Sequence, residues 1–314
     1  MKNVLITGAA GFIGSNLSEK MLQNGYRVIG IDNFDDFYDP DIKRRAIGRL
    51  QHSDFTLYEG DIRDKDFLDD VFTANRPDLV VHLAARAGVR PSIEQPMLYY
   101  DVNVTGTLLL LEAMKKAGVK DMLFASSSSV YGNNKKVPFS ETDNVDNPIS
   151  PYAATKKAGE LLCYTYHHLY DFNIFCLRFF TVYGPGQRPE MAIQKFGRKI
   201  MANEPISIFG DGTTRRDYTY IDDITDGIKA CVGKLKGFEV LNLGNSQTIS
   251  LIDLVKSIEH TLDKKAIIKW EPMQPGDVEI TYADISKARN LIGFNPEFPV
   301  KDGLKQMFEK QKAR

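Results

Sequence analysis

The sequence has few cysteines and no long hydrophobic run. Its three cysteines, Cys163, Cys176 and Cys231, are an odd number and are too far apart for a disulfide framework or a metal-binding CxxC pair. Buried thiols in a reducing compartment are the simplest interpretation, so we expect a cytoplasmic protein. The apolar-rich runs are well short of the roughly 18 residues that cross a bilayer, and the first residues do not resemble a signal peptide. We therefore expect no membrane association.

The sequence also lacks an excess of either charge. Its 40 Lys and Arg residues balance 41 Asp and Glu residues, which leaves a formal net charge of −1. Proteins that bind nucleic acids need basic residues in excess, so this balance argues against a nucleic-acid partner but not against one anion-binding pocket. With 314 residues, 43% of them hydrophobic, the chain can form one large domain or two interlocked domains.

Short β-branched runs alternate with amphipathic segments of helical length through the first half of the chain. Strands that are apolar on both faces and alternate with helices predict a doubly wound parallel α/β sheet of the Rossmann type. Gly25 and Gly118 stand where helix-terminating glycines are expected. The predicted strands are 3–7, 26–32, 55–59, 78–84, 121–126 and 174–179, and the predicted helices are 12–23, 64–74, 97–117 and 153–172.

The alternation becomes weaker after Phe180, where the sequence is richer in Gly, Pro and charged residues. We predict an NAD-binding domain over 1–180 and a smaller region over 181–314 that mainly binds substrate. The run 238–243 alternates well enough to form a strand that rejoins the first sheet.

The turn after the first predicted strand reads Gly8-Ala9-Ala10-Gly11-Phe12-Ile13-Gly14 and leads into a helix. Glycine at such a turn lets backbone N–H groups at the helix N-terminus approach a pyrophosphate. Asp32 ends the second predicted strand, where a carboxylate accepts hydrogen bonds from the adenosine ribose and repels a 2′-phosphate. The neighbouring Asn33 and Phe34 supply no arginine for that phosphate, so we predict NAD rather than NADP.

Asp61 and Ile62 follow the third predicted strand, where they can meet the adenine of the cofactor. Asp61 could equally cap the helix that is predicted to start near Asp64.

Tyr152 and Lys156 are four residues apart in a predicted helix that begins at Ser150-Pro151, so their side chains share one face. A phenol with a pKa near 10 serves as a base at neutral pH only if a nearby cation favours its phenolate, which Lys156 can do. Ser127 lies at the end of the preceding strand and can bind the reacting hydroxyl, and alternation predicts Ser129 on the same face as Ser127. The run of four serines is also compatible with a plain loop, and Tyr/Lys pairs at this spacing also arise by chance.

Several motifs spread over nearly the whole chain together resemble the extended short-chain dehydrogenase/reductase family. They are the glycine-rich turn of residues 8–14, Ser127, the Tyr152/Lys156 pair, residues 177–180 with 183–185, and residues 216–223. Within the family, residues 85–90 and 272–278 resemble the UDP-glucuronate 4-epimerase branch, although Arg86 stands where that branch often has glutamine.

The resemblance implies further site residues and an assembly. It implies that Phe180 lines the nicotinamide pocket, that Arg216 binds the UDP diphosphate, and that the helices over 97–117 and 153–172 form a homodimer interface. It also implies a role in polysaccharide biosynthesis. The residues it implies along the cofactor are Leu83, Ala84, Ala85 and Asn103.

The residues favour C4 epimerisation of a nucleotide sugar over dehydration. Relatives that dehydrate such sugars carry acidic residues before Val130-Tyr131-Gly132, where this sequence has only serines, and elimination of water needs an additional acid and base. The predicted substrate is UDP-glucuronate, with UDP-glucose and UDP-N-acetylglucosamine as alternatives. A binding protein that only senses NAD is disfavoured because Tyr152 and Lys156 are both present.

Arg188 lies in the loop beyond the last predicted Rossmann strand, and we expect it to hold the carboxylate of the sugar together with Thr181. Ser128 and Ser129 are expected to assist. The alternative is a surface salt bridge between Arg188 and Glu190. We expect no metal site, because the pair His167-His168 has no partner at ligand spacing.

Overall fold

The structure is a computed structural model that describes residues 2–273 and 278–312; for 310–312 it describes the backbone alone. Its strands are β1 (Asn3–Thr7), β2 (Arg27–Asp32), β3 (Phe55–Glu59), β4 (Leu79–His82), β5 (Asp121–Ser127), β6 (Asn173–Phe179), β7 (Thr181–Tyr183), β8 (Ile206–Phe209), β9 (Arg215–Arg216), β10 (Tyr218–Tyr220), β11 (Phe238–Leu243), β12 (Ile249–Ser250) and β13 (Ile268–Glu271). Its helices are α1 (Phe12–Gln23), α2 (Pro40–Gly48), α3 (Lys65–Asn75), α4 (Val89–Glu94), α5 (Pro96–Tyr100), α6 (Gly106–Ala117), α7 (Pro151–Tyr170), α8 (Ala192–Met201), α9 (Ile221–Cys231), α10 (Leu251–Leu262), α11 (Ser286–Ile292) and α12 (Val300–Lys312).

A seven-stranded parallel sheet forms the centre of the fold, in the order β11-β6-β5-β4-β1-β2-β3. The predicted doubly wound α/β class is therefore confirmed. β1 lies between β2 and β4 and pairs with both in parallel. The order reverses at β1, which is where doubly wound sheets bind ligands, beyond the carboxyl ends of the strands. β11 joins the sheet at its edge beside β6, as the alternation in that run predicted.

The chain divides into two compact units. Unit 1 comprises residues 1–132, 143–178 and 225–241, and unit 2 comprises 133–142, 179–224 and 242–314. One division between the units falls after Arg178, and the NAD-binding domain over 1–180 stays a prediction. The inclusion of 133–142 in unit 2 was not predicted, because nothing in the composition of that segment separates it from its neighbours.

The core of unit 1 lies between the sheet and its covering helices. Leu5 of β1, Val80 of β4 and Phe124 of β5 are almost completely buried, and so are Leu110 of α6 and Cys163 of α7. This arrangement follows from strands that are apolar on both faces, since only crossover helices can cover both sides of a parallel sheet. All three cysteines are buried and free.

The helix predicted over 97–117 is interrupted. The chain forms α5, then a π-helical turn over Asp101–Thr105, and then α6. π-Helical turns often mark functional positions, and this one carries Asn103. Two short helices, α2 and α4, were not predicted because they lie in segments with little apolar periodicity.

Several local predictions are confirmed. α1 spans Phe12–Gln23 as predicted, and the C-cap of α6 is Gly118 with a left-handed φ of 73°. Ser150 caps α7 by accepting a hydrogen bond from the backbone N–H of Ala153, with Pro151 at the first helical position. Among the helices that the structure describes, none is long and apolar enough to span a membrane.

Candidate active site

The glycine-rich turn of unit 1 connects β1 to α1 and is closely packed. Gly8 has a left-handed φ of 70°, and a Cβ there would lie 2.8 Å from the backbone nitrogen of Ala84. A Cβ on Gly14 would lie 2.1 Å from the carbonyl oxygen of Gly8. Gly11 is the N-cap of α1, so no side chain caps the first N–H groups of this helix. The turn thus has the close backbone approach, and α1 the N-terminus without a side-chain cap, that suit a pyrophosphate.

Asp32 ends β2 beside this turn, and its carboxylate is only 6% exposed. One oxygen accepts a 3.0 Å hydrogen bond from the N–H of Ala10, and the other accepts a 2.9 Å bond from the N–H of Phe34. Burial raises the pKa of Asp32, and the nearby Lys43 opposes that shift. The Lys43 ammonium lies 3.8 Å from the Asp32 carboxylate. No local sequence pattern predicts this cation, because only the position of α2 brings Lys43 to Asp32.

Asp61 lies beyond β3 and contacts the segment beyond β2. Its carboxylate accepts a 2.8 Å hydrogen bond from the side-chain amide of Asn33 and is paired with Arg63. The Arg63 hydrogen bond lowers the pKa of Asp61 to about 2. The alternative that Asp61 caps the next helix is wrong, because Asp64 does so by accepting from Phe67. Ile62 is buried beside Asp61.

The segment after β4 comprises Leu83, Ala84 and Ala85. It is hydrogen-bonded to Thr7, the residue that precedes the glycine-rich turn. The N–H of Leu83 donates to the carbonyl of Thr7, and the N–H of Ala84 donates to the Thr7 hydroxyl. The end of β4 is thereby held against the end of β1, on the same edge as Asp32.

His82, the last residue of β4, is fully buried and neutral. Its Nε2 lies 3.0 Å from the hydroxyl of Thr107, which donates to the carbonyl of Asn103. The Thr107 hydroxyl must therefore accept from Nε2–H, and Nδ1 of His82 accepts from the Thr7 hydroxyl at 2.7 Å. Burial, with the nearby charge of Lys156, lowers the pKa of His82 to about 3. His82 thus connects β1 to α6 as a neutral imidazole, a role that no local sequence pattern predicts.

Asn103 was predicted to line the cofactor. In the structure its side chain forms hydrogen bonds with other residues of unit 1. Its amide nitrogen donates to the carbonyl of Arg86 and to the hydroxyl of Thr155, each at 3.0 Å. Its amide oxygen accepts from the N–H of Arg86 at 2.8 Å. The Thr155 hydroxyl in turn donates to the carbonyl of Tyr152. Asn103 therefore connects the loop beyond β4 to the first turn of α7.

Tyr152 and Lys156 share one face of α7, as predicted. The Lys156 ammonium lies 6.0 Å from the centroid of the Tyr152 ring and donates a 2.8 Å hydrogen bond to the carbonyl of Ala125. Lys156 is only 4% exposed, and burial lowers its pKa to about 8. It is still predominantly protonated at neutral pH, so it can favour the phenolate form of Tyr152.

Ser127 and Ser129 are brought together, but not by strand alternation. β5 ends at Ser127, and a 3₁₀ turn follows over Ser128–Tyr131. Ser127 caps this turn and accepts a 3.2 Å hydrogen bond from the N–H of Ser129 and a 2.9 Å bond from its hydroxyl. The prediction that both serines lie on one strand face is wrong, because the chain leaves the strand geometry after Ser127.

A buried ion pair lies beside the serines and was missed. Glu160 of α7 and Arg178 of β6 form two 2.8 Å hydrogen bonds, and both side chains are 3% exposed. The hydroxyl of Ser126 donates to Glu160, and Arg178 also donates to the hydroxyl of Tyr131. Glu160 is four residues beyond Lys156, so the two share one face of α7, but this spacing says nothing about a partner on a strand.

In unit 2, Phe180, Thr181 and Arg216 lie in and around a small sheet. Phe180 is buried, and the centroid of its ring lies 6.5 Å from that of Phe139. The N–H of Thr181 in β7 donates to the carbonyl of Asp217. An Nη of Arg216 donates to the carbonyls of Arg215 and Glu279 at 2.9 and 3.3 Å. Part of the Arg216 guanidinium thus stabilises the strand backbone.

Arg188 is paired with Glu190, which is the alternative raised for it. The Arg188 Nε lies 3.2 Å from a Glu190 carboxylate oxygen, and an Nη contacts the Met191 sulfur at 3.5 Å. The Glu190 side chain is 44% exposed. An anion that approached Arg188 would therefore compete with a partly solvated carboxylate.

Part of the motif over 272–278 lies outside the described residues, namely 274–277. Within the described ranges, no three His, Cys, Asp or Glu residues are grouped so that they could hold a metal ion. His167, one of the two adjacent histidines, interacts through its Nδ1 with the carbonyl of Phe172.

Comparisons with known proteins identify the family. The family model described as GDP-mannose 4,6 dehydratase matches residues 5–307. A UDP-glucuronate 4-epimerase from Thermodesulfobacterium geofontis is 47% identical over 304 residues, covering 96% of this chain and 94% of its own length.

Two solved structures are also similar. UDP-glucuronic acid 4-epimerase from Bacillus cereus, in complex with UDP-glucuronic acid and NAD, has a TM-score of 0.94 at 38% identity. UDP-glucose 4-epimerase from Thermotoga maritima, with UDP-glucose, has a TM-score of 0.90 at 33% identity. Each comparison covers 99% of both chains. The chain belongs to the GDP-mannose 4,6 dehydratase family and is an extended short-chain dehydrogenase/reductase of the NAD-dependent nucleotide-sugar 4-epimerase type.

Proposed function

We propose that this 4-epimerase interconverts UDP-glucuronate and UDP-galacturonate, which would supply polysaccharide biosynthesis. The observation that carries the reaction type is the Tyr152/Lys156 pair on α7, beside the serine turn that begins at Ser127. The sugar is inferred from relatives named for UDP-glucuronate at 47% and 38% identity.

Unit 1 supplies the residues that we assign to NAD. The turn from Gly8 to Gly14 would hold the pyrophosphate, Asp32 the adenosine ribose, and Asn33 with Asp61 and Ile62 the adenine side. The close packing of Gly8 and Gly14 supports this fit, since a side chain at either position would clash with neighbouring backbone and disrupt the turn. The remaining residues that we assign to the cofactor are Gly11, Phe12, Ile13, Leu83, Ala84, Ala85, Asn103, Tyr152, Lys156 and Phe180.

The chemistry follows from the charges around Tyr152. NAD, when bound, would supply the hydride acceptor for C4 and the hydride donor for the 4-keto intermediate. Tyr152 takes the proton of the C4 hydroxyl and gives it back, because the Lys156 ammonium and the helix N-terminus favour its phenolate. Ser127 orients that hydroxyl, and Ser129 donates to Ser127, which leaves the Ser127 proton available for the sugar oxygen.

Dehydration is disfavoured because Glu160, the carboxylate beside the serines, already accepts hydrogen bonds on both of its oxygens. Both oxygens of Glu160 accept from Arg178, and one also accepts from Ser126. Moving the Glu160 carboxylate toward a substrate would break its buried ion pair with Arg178, which is costly. Epimerisation does not need this additional acid or base.

We assign the sugar carboxylate to Arg188 and Thr181, with Ser128 and Ser129 assisting, and the UDP diphosphate to Arg216. Arg188 can exchange the exposed Glu190 for a substrate carboxylate and form charge-assisted hydrogen bonds with it. A 4-keto uronate is a β-keto acid, and such bonds would hold its carboxylate out of alignment with the ketone and so prevent loss of CO₂.

We also propose a homodimer that forms through α5, α6 and α7 and functions in the cytoplasm. These three helices expose large apolar side chains, which favours a partner over solvent. The exposed fractions are 80% for Met97, 38% for Leu108, 56% for Leu161 and 53% for Tyr164. Three buried free thiols suit a reducing compartment.

The test is to offer the purified protein UDP-glucuronate, UDP-glucose and UDP-N-acetylglucosamine separately, without added NAD, and to identify the products by proton NMR. We expect UDP-galacturonate from the first sugar and little conversion of the other two. Preferred conversion of a neutral sugar would overturn the uronate assignment. Steady consumption of added NAD would contradict epimerisation, because the hydride would then not return to the sugar.

A further inference from the structure

Arg86 forms an ion pair with Asp35 that the function described so far does not use. Arg86 lies in the loop beyond β4, and one of its Nη atoms donates to a carboxylate oxygen of Asp35 in the loop beyond β2. The two side chains are 11% and 31% exposed, so this pair is screened by solvent less than the surface pairs are. The Arg86 guanidinium also lies 5.1 Å from the centroid of the Phe37 ring.

The position of the pair follows from the strand order. β1 lies between β4 and β2, so a contact between the loops beyond β4 and β2 crosses the carboxyl end of β1. The glycine-rich turn begins at that end. In doubly wound sheets a dinucleotide lies across this edge, with its adenosine on the β2 side. The Arg86–Asp35 contact therefore connects the two sides of the cofactor path.

Both partners are held rigidly by their own backbones. Asn103 binds both the N–H and the carbonyl of Arg86. The carbonyl of Asp35 accepts a 2.9 Å hydrogen bond from Lys43, and its N–H donates to Asn33. A pair between two fixed loops loses less conformational entropy on forming than a pair between mobile side chains.

The Nε of Arg86 is available to bind a ligand. Its Nε is buried and has no hydrogen-bond partner within the described residues. A buried donor without a partner is costly, whereas a phosphate or ribose oxygen nearby would satisfy it.

We propose that Arg86 and Asp35 form an ionic latch across the bound dinucleotide, and that the latch slows release of NAD. An enzyme that returns the hydride to the same sugar gains from such a latch, because cofactor lost in mid-reaction would strand a ketone. The proposal rests on NAD binding and not on the identity of the sugar.

The test measures NAD release without any sugar. Protein loaded with NAD is mixed with excess alcohol dehydrogenase and ethanol, which convert released NAD to NADH that is followed at 340 nm. The variants are Arg86→Gln and Asp35→Asn, alone and combined. Lys20→Gln is the matched control, because it removes a cation from the Lys20–Asp226 pair, which belongs to the same unit but lies away from these loops.

We expect each single variant to release NAD about ten-fold faster or more, since charge-assisted hydrogen bonds contribute at least that factor. The double variant should be no faster than the faster single variant, because both changes remove one shared interaction. Lys20→Gln should behave as the wild type. Turnover of Asp35→Asn with excess NAD should stay within about two-fold, since the latch takes no part in proton transfer.

The dependence of NAD release on salt concentration gives a second test. Raising the ionic strength should speed release from the wild type and have a smaller effect on Arg86→Gln, because only the wild type has the pair to screen. Unchanged release in both single variants would overturn the proposal, and so would equal acceleration in Lys20→Gln. If Arg86→Gln does not fold, as judged by circular dichroism, Asp35→Asn and the salt dependence decide the outcome.

Discussion

The Lys156 ammonium donates a 2.8 Å hydrogen bond to the carbonyl of Ala125, two residues before Ser127 on the same strand. One buried cation thus fixes the end of β5 against α7, which carries Tyr152. The proposed base and the proposed hydroxyl-orienting serine are held by the same side chain. This arrangement has a cost in stability, because burial opposes the charge of Lys156.

We predict that Lys156→Met abolishes turnover but stabilises the NAD-free protein. The folded pKa of Lys156 is about 8, below the usual value of 10.5. Burying the charge of Lys156 therefore lowers the free energy of unfolding by ~3 kcal/mol, which the substitution regains. The substitution also loses the hydrogen bond to Ala125, which subtracts about 1 kcal/mol from this gain. Urea unfolding near pH 7 should therefore show a gain in the free energy of unfolding of roughly 2 kcal/mol.

The same substitution predicts a pH dependence with a definite sign. A lowered lysine pKa means that the unfolded state binds more protons between about pH 8 and 10.4, so wild-type stability gains from this group as the pH rises through that range. The advantage of Lys156→Met should be constant below pH 8 and shrink above it. An advantage that grows with pH would contradict the burial argument.

Tyr152→Phe should lower turnover by about 10²- to 10⁴-fold, since it removes the proton acceptor and keeps the ring. The dissociation constant for a UDP-sugar, measured by calorimetry, should change little. Near-normal turnover would mean that the base lies elsewhere, with Ser127 acting through water as the first candidate.

Glu160→Gln should destabilise the protein by about 3–5 kcal/mol, because it leaves the Arg178 guanidinium buried without its counter-charge. The matched control is Glu59→Gln, whose partner Arg44 lies at the surface, with side chains 54% and 52% exposed. That change should cost far less, because solvent screens the exposed pair. Similar losses in the two variants, measured by urea unfolding, would show that burial does not determine the strength of the Glu160–Arg178 pair.

Arg188→Ala should weaken binding of UDP-glucuronate by roughly 2 kcal/mol and leave binding of UDP-glucose almost unchanged. Glu190→Gln is the control, because it removes the intramolecular partner of Arg188 and keeps the arginine. That variant should bind UDP-glucuronate at least as well as the wild type. Equal losses for both sugars in Arg188→Ala, or no loss for either, would contradict the carboxylate assignment.

Introducing charge at Leu161 and Tyr164 should convert the proposed dimer to monomers. The two residues are one turn apart on α7 and more than half exposed, so a Leu161→Glu/Tyr164→Glu variant would bury repelling charges at the interface. Ile267→Glu alters a residue of unit 2 that is 52% exposed and should leave the assembly intact. Light scattering during gel filtration gives the mass. A wild-type monomer would refute the proposal directly.

The sequence by itself determined the features that depend on neighbouring residues. The glycine-rich turn, Asp32 at the end of β2, the Ser150 cap and the Tyr152/Lys156 face each rest on chemistry within one turn of helix or one strand end. The alternation of apolar runs and amphipathic segments was sufficient for the parallel sheet, because crossover helices are required to join parallel strands.

Only the tertiary structure decided which buried polar groups meet. Arg178 of β6 pairs with Glu160 of α7. The position of α2 places Lys43 next to Asp32. Arg86 and Asp35 form an ion pair across the end of β1. Such pairs depend on which charged side chains the fold buries next to each other, and no local sequence pattern predicts those neighbours. The serine turn after β5 differs from its prediction for a related reason, since Ser127 caps a turn there instead of continuing the strand.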